Sequence, residues 1–132
     1  MTGNDITAQA NSGQSAAGAE QAQQLLKQLL TSLEDLKAID VRSIDVTKFS
    51  DVTDWMVLAS GTSNRHVRAL VNRVVEDLKG SDTRPIGVEG RESSEWVLVD
   101  YGDVVLHVMQ AETRSFYDLE RLWTDLPAES SQ

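Results

Sequence analysis

Six carboxylates between residues 51 and 112 are the residues best suited to bind a metal ion. They are Asp51, Asp54, Glu89, Asp100, Asp103 and Glu112. Metal-dependent nucleotidyl transfer needs a Gly-Ser turn followed by two carboxylates one residue apart, because both must point from one strand face onto a shared Mg²⁺. Gly61-Thr62-Ser63 supplies a turn, but a helical pattern of Val, Leu and Arg follows it. The carboxylate pair is therefore missing, and the spacing of Asp100 and Asp103 favours a turn over a metal site.

The two histidines, His66 and His107, are the candidates for acid-base chemistry. Ser63 and His66 fall on one helical turn, but no acid is placed to orient the imidazole, so a nucleophile and base are weakly indicated. His107 alternates with Leu106 and Val108 inside a strand pattern, which favours a structural role over catalysis. The chain also has no Walker sequence and no Gly-x-Gly-x-x-Gly run. The sequence thus predicts no catalytic and no cofactor-binding set.

The segment from Gly61 to Asn64 has two interpretations. It stands at the start of a predicted helix, where free backbone amides can bind an anion. The alternative is an ordinary strand-to-helix turn, capped by the hydroxyl groups of Thr62 and Ser63. The pattern favours the capped turn.

These residues must be positioned by elements that the hydrophobic spacing predicts. Leucines from Leu25 to Leu36 recur every three or four residues and indicate a helix that ends near Lys37. The predicted elements after it are a half-exposed strand over 41–49, a buried strand over 55–59, a helix from Ser63 closed by a left-handed Gly80, strands over 85–90, 96–100 and 104–109, and a helix through Phe116, Leu119, Leu122 and Trp123 that stops before Pro127. This order predicts an α/β fold: a mixed β-sheet flanked by helices, with at least one parallel pair and an antiparallel hairpin around Gly102.

Length and composition bound the class of protein. A chain of 132 residues fits one folded domain, which we place at 22–124 between a disordered polar tail over 1–21 and a flexible tail over 125–132. The formal net charge of −9 disfavours broad binding to nucleic acid, whose phosphates attract Lys and Arg. With no cysteine, no signal peptide and no apolar run long enough to span a membrane, we expect a cytoplasmic protein.

An apolar patch is predicted on one sheet face. Trp96, Leu98 and Asp100 share one side of their strand, and Val97, Val99 and Tyr101 share the other. If the valines face the helices, Trp96 and Leu98 form a patch edged by acidic residues, a composition typical of protein-binding surfaces. The alternative, in which Trp96 belongs to the core, stays open on pattern alone.

The ordered motifs resemble the Iojap or ribosomal silencing factor family over residues 22–124. Individually they are weak, but their order and spacing are specific. They are Asp54 before an apolar strand, Gly61-Thr62-Ser63, Arg65-His66-Val67, Gly87-Val88-Glu89-Gly90, Trp96 to Asp100, Gly102-Asp103-Val104-Val105, His107-Val108, Arg114 with Phe116-Tyr117, Leu119-Glu120 and Leu122-Trp123.

The resemblance implies a nucleotidyltransferase-like fold without the catalytic carboxylates, and hence no enzyme, cofactor or metal. It also implies binding to the large ribosomal subunit through large-subunit ribosomal protein fourteen, which blocks joining of the small subunit and represses translation under nutrient limitation. A homodimer is implied for the free protein. Trp96 and Tyr101 match the family's apolar contact positions, although many relatives have a smaller aliphatic residue at 101. With Leu98 and the acidic Glu89, Asp100 and Asp103, they form the predicted partner-binding set.

Two other functions remain open. An enzyme or nucleotide-binding protein would use the turn from Gly61 to His66, and an assembly adaptor would act while the large subunit matures.

Overall fold

A five-stranded sheet organises the part of the chain that the structure, a computed structural model, describes, which is residues 16–117. Its elements follow the predicted order of helices and strands. They are helix α1 (Ala16–Asp35), strands β1 (Ile39–Asp45) and β2 (Trp55–Gly61), helix α2 (Asn64–Gly80), strands β3 (Gly87–Glu89), β4 (Trp96–Asp100) and β5 (Val104–Gln110), and helix α3 (Ala111–Tyr117).

The strands lie in the order β1-β2-β5-β4-β3. Strands β2 and β5 are parallel, whereas the pairs β1–β2, β4–β5 and β3–β4 are antiparallel. The mixed sheet, its parallel pair and the hairpin around Gly102 are therefore confirmed. The parallel neighbour of β2 is β5 and not β3, so the chain forms two more strands after α2 before it returns to β2.

Helices α1 and α2 cover one face of the sheet, called the helix-side face. The residues that meet there include Leu29 and Leu33 of α1, Val67, Leu70, Val71, Val74 and Leu78 of α2, and Val57, Val97, Val99, Leu106 and Val108 of the strands, all buried to within 1% of their surface. Each such side chain contributes about 1.5–3 kcal/mol when it leaves water. The apolar residues whose spacing predicted these helices and strands are thus the residues buried between the helices and the sheet.

The ends of α2 show one predicted cap and one that differs. The Ser63 hydroxyl accepts a hydrogen bond from the His66 backbone N–H at 3.1 Å, which confirms the N-cap. Gly80 was expected to close the helix in a left-handed conformation; the helix does end at Gly80, but the expected conformation was wrong. The left-handed residue is Asp82, with φ of 64°, and the Thr83 N–H reaches back to the Leu78 carbonyl at 2.9 Å. The left-handed residue thus comes two positions later than glycine chemistry suggested, because an aspartate also tolerates this conformation.

Two element boundaries also differ from prediction. Helix α1 begins at Ala16, so residues 16–21 are helical and not part of a disordered tail; alanines at 16, 17 and 19 have the highest helix propensity. Strand β1 covers Ile39–Asp45 rather than 41–49, because the Asp45 carboxylate accepts hydrogen bonds from the Thr47 N–H at 2.9 Å and hydroxyl at 2.7 Å and so forms a turn.

The predictions for residues 1–15 and 118–132 lie outside the described residues. They comprise most of the N-terminal tail, the C-terminal tail and the helical positions Leu119, Leu122 and Trp123. Among residues 16–117, no helix is long and apolar enough to cross a membrane.

Candidate partner-binding face

The sheet face opposite α1 and α2, called the second face, carries side chains in cross-strand rows. Strand pairing aligns Leu58, His107, Leu98 and Glu89 in one row and Met56, Val105 and Asp100 in the next. A third row holds Ser60, Met109 and Trp96. The question of whether Val97 and Val99 face the helices is settled, since both are buried on the helix-side face. Trp96 and Leu98 therefore lie on the second face, as expected if the valines face the helices.

Trp96 is held in one orientation. Its indole N–H donates a hydrogen bond to His107 Nδ1 at 3.0 Å, and the two ring centroids are 6.0 Å apart. The ring also packs against Leu58 and Met109, which are fully buried. Trp96 is only partly buried itself, so both interpretations of this residue hold in part: one side supports the fold and the rest faces outward.

His107 has the structural role that its strand position predicted. Burial lowers the pKa of the imidazole from 6.5 to about 4, so the ring is neutral at pH 7. In a neutral ring that accepts through Nδ1, the proton is on Nε2. His107 thus acts as the acceptor that fixes the indole of Trp96.

Leu98 and its neighbours form the more accessible part of the second face. Leu98 is partly exposed and lies between His107 and Glu89 in its row. Val105 and Met56, in the next row, are also partly exposed. Glu89 is exposed on the edge strand β3, so a carboxylate borders the apolar residues directly. An apolar centre with an acidic edge suits a basic protein surface.

Asp100 combines a place on the second face with a turn. Its carboxylate accepts a hydrogen bond from the Gly102 N–H at 2.8 Å, and Gly102 has φ of 87°, in the region that glycine tolerates best. The prediction that Asp100 forms a turn is confirmed. No group of three or more potential metal-ligating residues occurs within 16–117.

Tyr101 and Asp103 lie on the other side of the sheet from Trp96. Tyr101 is 8% exposed and packs in the core cluster of the helix-side face. Burial raises the pKa of its hydroxyl to about 12. Asp103 borders a groove together with Tyr101 and residues of α1. The predicted set of six therefore divides into two surfaces, joined only around the β4–β5 turn: Trp96, Leu98, Glu89 and Asp100 on one side, and Tyr101 and Asp103 on the other.

The turn at the start of α2 uses its polar groups internally. The Thr62 N–H donates to His66 Nδ1 at 2.9 Å, and the other ring nitrogen donates to the Leu36 carbonyl at 2.8 Å. Ser63 bonds the backbone N–H groups of His66 and Val67. His66 therefore connects Leu36, the residue that follows α1, to this turn and does not activate Ser63. The arrangement favours the capped turn over an anion site.

Arg114 is a residue whose position the sequence did not reveal. It is 7% exposed, and its guanidinium donates to Ser60 Oγ at 3.0 Å and to the Asp40 carbonyl. Because Ser60 lies on the second face, these bonds fix α3 over the end of that face where β2 finishes. Its only sequence signal was its place in a motif of the resemblance.

Comparison with known proteins places this geometry in a family. The family sequence model described as "Ribosomal silencing factor during starvation" matches residues 19–132. A Chromobacterium violaceum protein named ribosomal silencing factor RsfS is 46% identical over 101 residues, covering 76% of this chain and 83% of the relative. A mouse protein named mitochondrial assembly of ribosomal large subunit protein 1 is 38% identical, covering 73% of this chain and 43% of its own. A crystal structure of a Chromobacterium violaceum protein has a TM-score of 0.75 at 46% identity, covering 76% of this chain and 84% of that one.

Proposed function

This chain belongs to the ribosomal silencing factor (RsfS) family, and from that premise we propose that it binds the large ribosomal subunit through large-subunit ribosomal protein fourteen. Bound there, it sterically blocks joining of the small subunit and so represses translation under nutrient limitation. The family is one of ribosome-associated regulators and not of enzymes, in agreement with the missing carboxylate pair. The homodimer that the resemblance implies stays a prediction for the free protein.

The observation that carries the proposal is the second face itself. It combines a tryptophan with a fixed orientation, partly exposed apolar neighbours and an acidic edge. Binding usually depends on a few such anchors, and a side chain already held in one rotamer loses little entropy when a partner covers it. Trp96, locked by His107, has this property, and Leu98 lies beside it in the adjacent row.

The charge of the chain supports a protein partner rather than RNA. The formal net charge is −9, and Glu89 and Asp100 border the apolar centre of the second face. Acidic groups repel phosphates but attract basic protein surfaces, and they mainly increase the association rate and fix orientation. Ribosomal proteins are embedded in RNA, so this charge pattern would direct the chain to protein and away from its surroundings.

Leu98→Asp is the variant that tests this face. Trp96 is a poorer choice, because its indole packs against Leu58 and Met109 and its loss would disturb the fold. Leu98 is partly exposed and central. We expect Leu98→Asp to remove binding to purified large subunits, since a buried unpaired charge is costly at an interface. Val52→Asp is the control, because Val52 is 81% exposed in the loop between β1 and β2.

The assay is sedimentation of purified large and small subunits on a sucrose gradient, with and without each protein. The wild type and Val52→Asp should lower the joined-ribosome peak and migrate with the large subunit. Leu98→Asp, folded by circular dichroism, should leave the peak intact. A Leu98→Asp protein that still prevents joining would refute the proposed face, and a wild type that remains at the top of the gradient would refute the function.

A role in assembly of the large subunit is the second candidate. It is favoured by the name of the mouse relative, which refers to assembly of the ribosomal large subunit. The two functions differ in timing. Association with precursor particles but not with mature subunits would support assembly, and the reverse would support silencing.

A further inference from the structure

A polar groove lies on the helix-side face, at the end of the sheet that holds the β4–β5 turn. Its volume is about 360 Å³, and we call it the Tyr101 groove. It runs between residues 21–28 of α1, the α2–β3 loop and the β4–β5 turn. Its lining consists of Gln21, Gln24, Leu25, Gln28, Ser81, Thr83, Tyr101 and Asp103. The single charged side chain in this lining is a carboxylate.

The hydroxyl group of Tyr101 is an unsatisfied polar atom at this groove. It is shielded from solvent and has no hydrogen-bond partner in the described part of the chain. With a pKa near 12 the hydroxyl keeps its proton, so it can both donate and accept. A buried hydroxyl without a partner destabilises the fold. A ligand that forms a hydrogen bond with this hydroxyl would remove the free-energy penalty, which favours ligand binding in the groove.

The carboxylate of Asp103 is the second unused group. The backbone of Asp103 is fixed, because its carbonyl accepts hydrogen bonds from the N–H groups of Asp54 at 2.9 Å and Trp55 at 3.0 Å. Its side chain, by contrast, makes no hydrogen bond or ion pair with any residue between 16 and 117. The carboxylate is therefore held at the groove by the fold but left available to a partner.

Three glutamines of α1 supply further acceptors. Gln21, Gln24 and Gln28 are exposed and lie three and four residues apart, on one stripe of the helix. The Gln28 amide N–H donates to Ser81 Oγ at 2.9 Å, which leaves its carbonyl oxygen for another donor. The groove thus presents carbonyl, hydroxyl and carboxylate oxygens and carries a negative charge.

We propose that the Tyr101 groove receives an arginine side chain of the protein partner on the large subunit, an inference that rests on the proposed function. A guanidinium offers five N–H donors in a plane and a positive charge, which matches a carboxylate surrounded by neutral acceptors. Asp103 takes the charge-assisted bonds and the glutamine carbonyls take others. The hydroxyl of Tyr101, which lines the groove without a hydrogen-bond partner among residues 16–117, is the remaining group for the guanidinium to bond. A phosphate is excluded by the charge.

The groove can be tested without the ribosome. The folded protein is titrated with N-acetyl-arginine amide and, in parallel, with its neutral isostere N-acetyl-citrulline amide, while backbone amide signals are followed by NMR. Arginine should shift the signals of residues 21–28 and 101–103 saturably at millimolar concentration, and citrulline should not. Asp103→Asn should remove the effect, whereas Glu34→Gln, which removes a charge beside β1 at the other end of α1, should not. Equal shifts with both compounds, or no shift with arginine, would overturn the proposal.

The ribosome assay separates this inference from the proposed function. We expect Asp103→Asn and Tyr101→Phe each to weaken binding to large subunits about ten-fold, the loss of one charge-assisted or buried hydrogen bond. Tyr101→Phe should at the same time unfold at a temperature no lower than the wild type, because it removes an unsatisfied hydroxyl. If Tyr101 had only a structural role, Tyr101→Phe would leave the affinity for large subunits unchanged. If both variants bind like the wild type while Leu98→Asp does not bind, the groove proposal fails and the second face stands. If the wild type itself does not bind, the proposed function fails, and the arginine titration alone decides on the groove.

Discussion

His107 is a residue through which acidification should weaken the fold. Its pKa is about 4 in the folded protein and 6.5 in the unfolded chain. The difference corresponds to at most about 3.5 kcal/mol, at about 1.4 kcal/mol per pKa unit. Because His107 is partly exposed and solvent screens its charge, we expect a contribution of roughly 2 kcal/mol.

The direction follows from proton binding. Above pH 6.5 the imidazole is neutral in both states, and its contribution to stability is fully present. Between pH 6.5 and about 4 the unfolded chain binds a proton that the folded protein does not, so the free energy of unfolding falls as pH falls. The molecular reason is that burial disfavours the charged imidazolium; a protonated Nδ1 would also be unable to accept the indole N–H of Trp96.

His107→Asn is the matched variant for this measurement. The asparagine Oδ1 can replace Nδ1 as the acceptor for Trp96, but the side chain does not titrate. Urea unfolding is followed by circular dichroism at several values between pH 7.5 and pH 4.5 for both proteins. The difference in unfolding free energy should shrink by about 2 kcal/mol across this range, while the carboxylates that both proteins share contribute equally and cancel. A difference that stays constant with pH would refute the reasoning.

Two further predictions concern the positions that hold the sheet and helices. Gly90→Ala should destabilise the protein by at least about 2 kcal/mol in chemical unfolding, because φ of Gly90 is 87° and a Cβ atom there would lie 2.2 Å from the Trp96 carbonyl oxygen. Gly87→Ala is the control and should change stability little, because a Cβ atom at this position meets nothing within 4 Å. Equal effects of the two substitutions would contradict this reasoning. Ser32→Ala should raise the pKa of Asp77, because the 2.7 Å hydrogen bond donated by Ser32 is the largest cause that lowers it. The substitution should also lower the free energy of unfolding by roughly 1 kcal/mol. NMR titration of the Asp77 carboxylate measures the change, and an unchanged pKa would assign the lowering to Arg73 instead.

The elements of this fold follow from local pattern, and so they could be predicted. Leucines at helical spacing produced α1, and the alternation in Trp96 to Asp100 assigned Trp96 and Val97 to opposite faces. The order of strands could not be predicted in the same way. The insertion of β5 between β2 and β4 is a pairing between distant segments, and nothing in the sequence of either strand encodes its neighbour.

One residue that sequence reasoning missed depends on such a distant pairing, and one that it misplaced depends on local hydrogen bonds. Arg114 bonds Ser60, 54 residues away, and its burial is visible only once α3 lies on the sheet. Gly80 was assigned a left-handed conformation by residue type, but the local bonds of the loop placed that conformation at Asp82. Propensity describes which residues tolerate a conformation, and the hydrogen bonds of the folded chain decide which of them adopts it.

The division of the predicted binding set between two faces restricts how one partner could contact all of it. Asp100 and Tyr101 are adjacent in sequence yet point to opposite sides of the sheet, so a flat surface cannot meet both. A partner would instead have to enclose the β4–β5 turn, with its apolar contact on Leu98 and a basic side chain reaching the Tyr101 groove. The turn suits such a contact, because bonds from Asp54 and Trp55 to the Asp103 carbonyl fix it to the start of β2. A rigid projecting turn loses little entropy on binding, which supports one continuous interface around this end of the sheet.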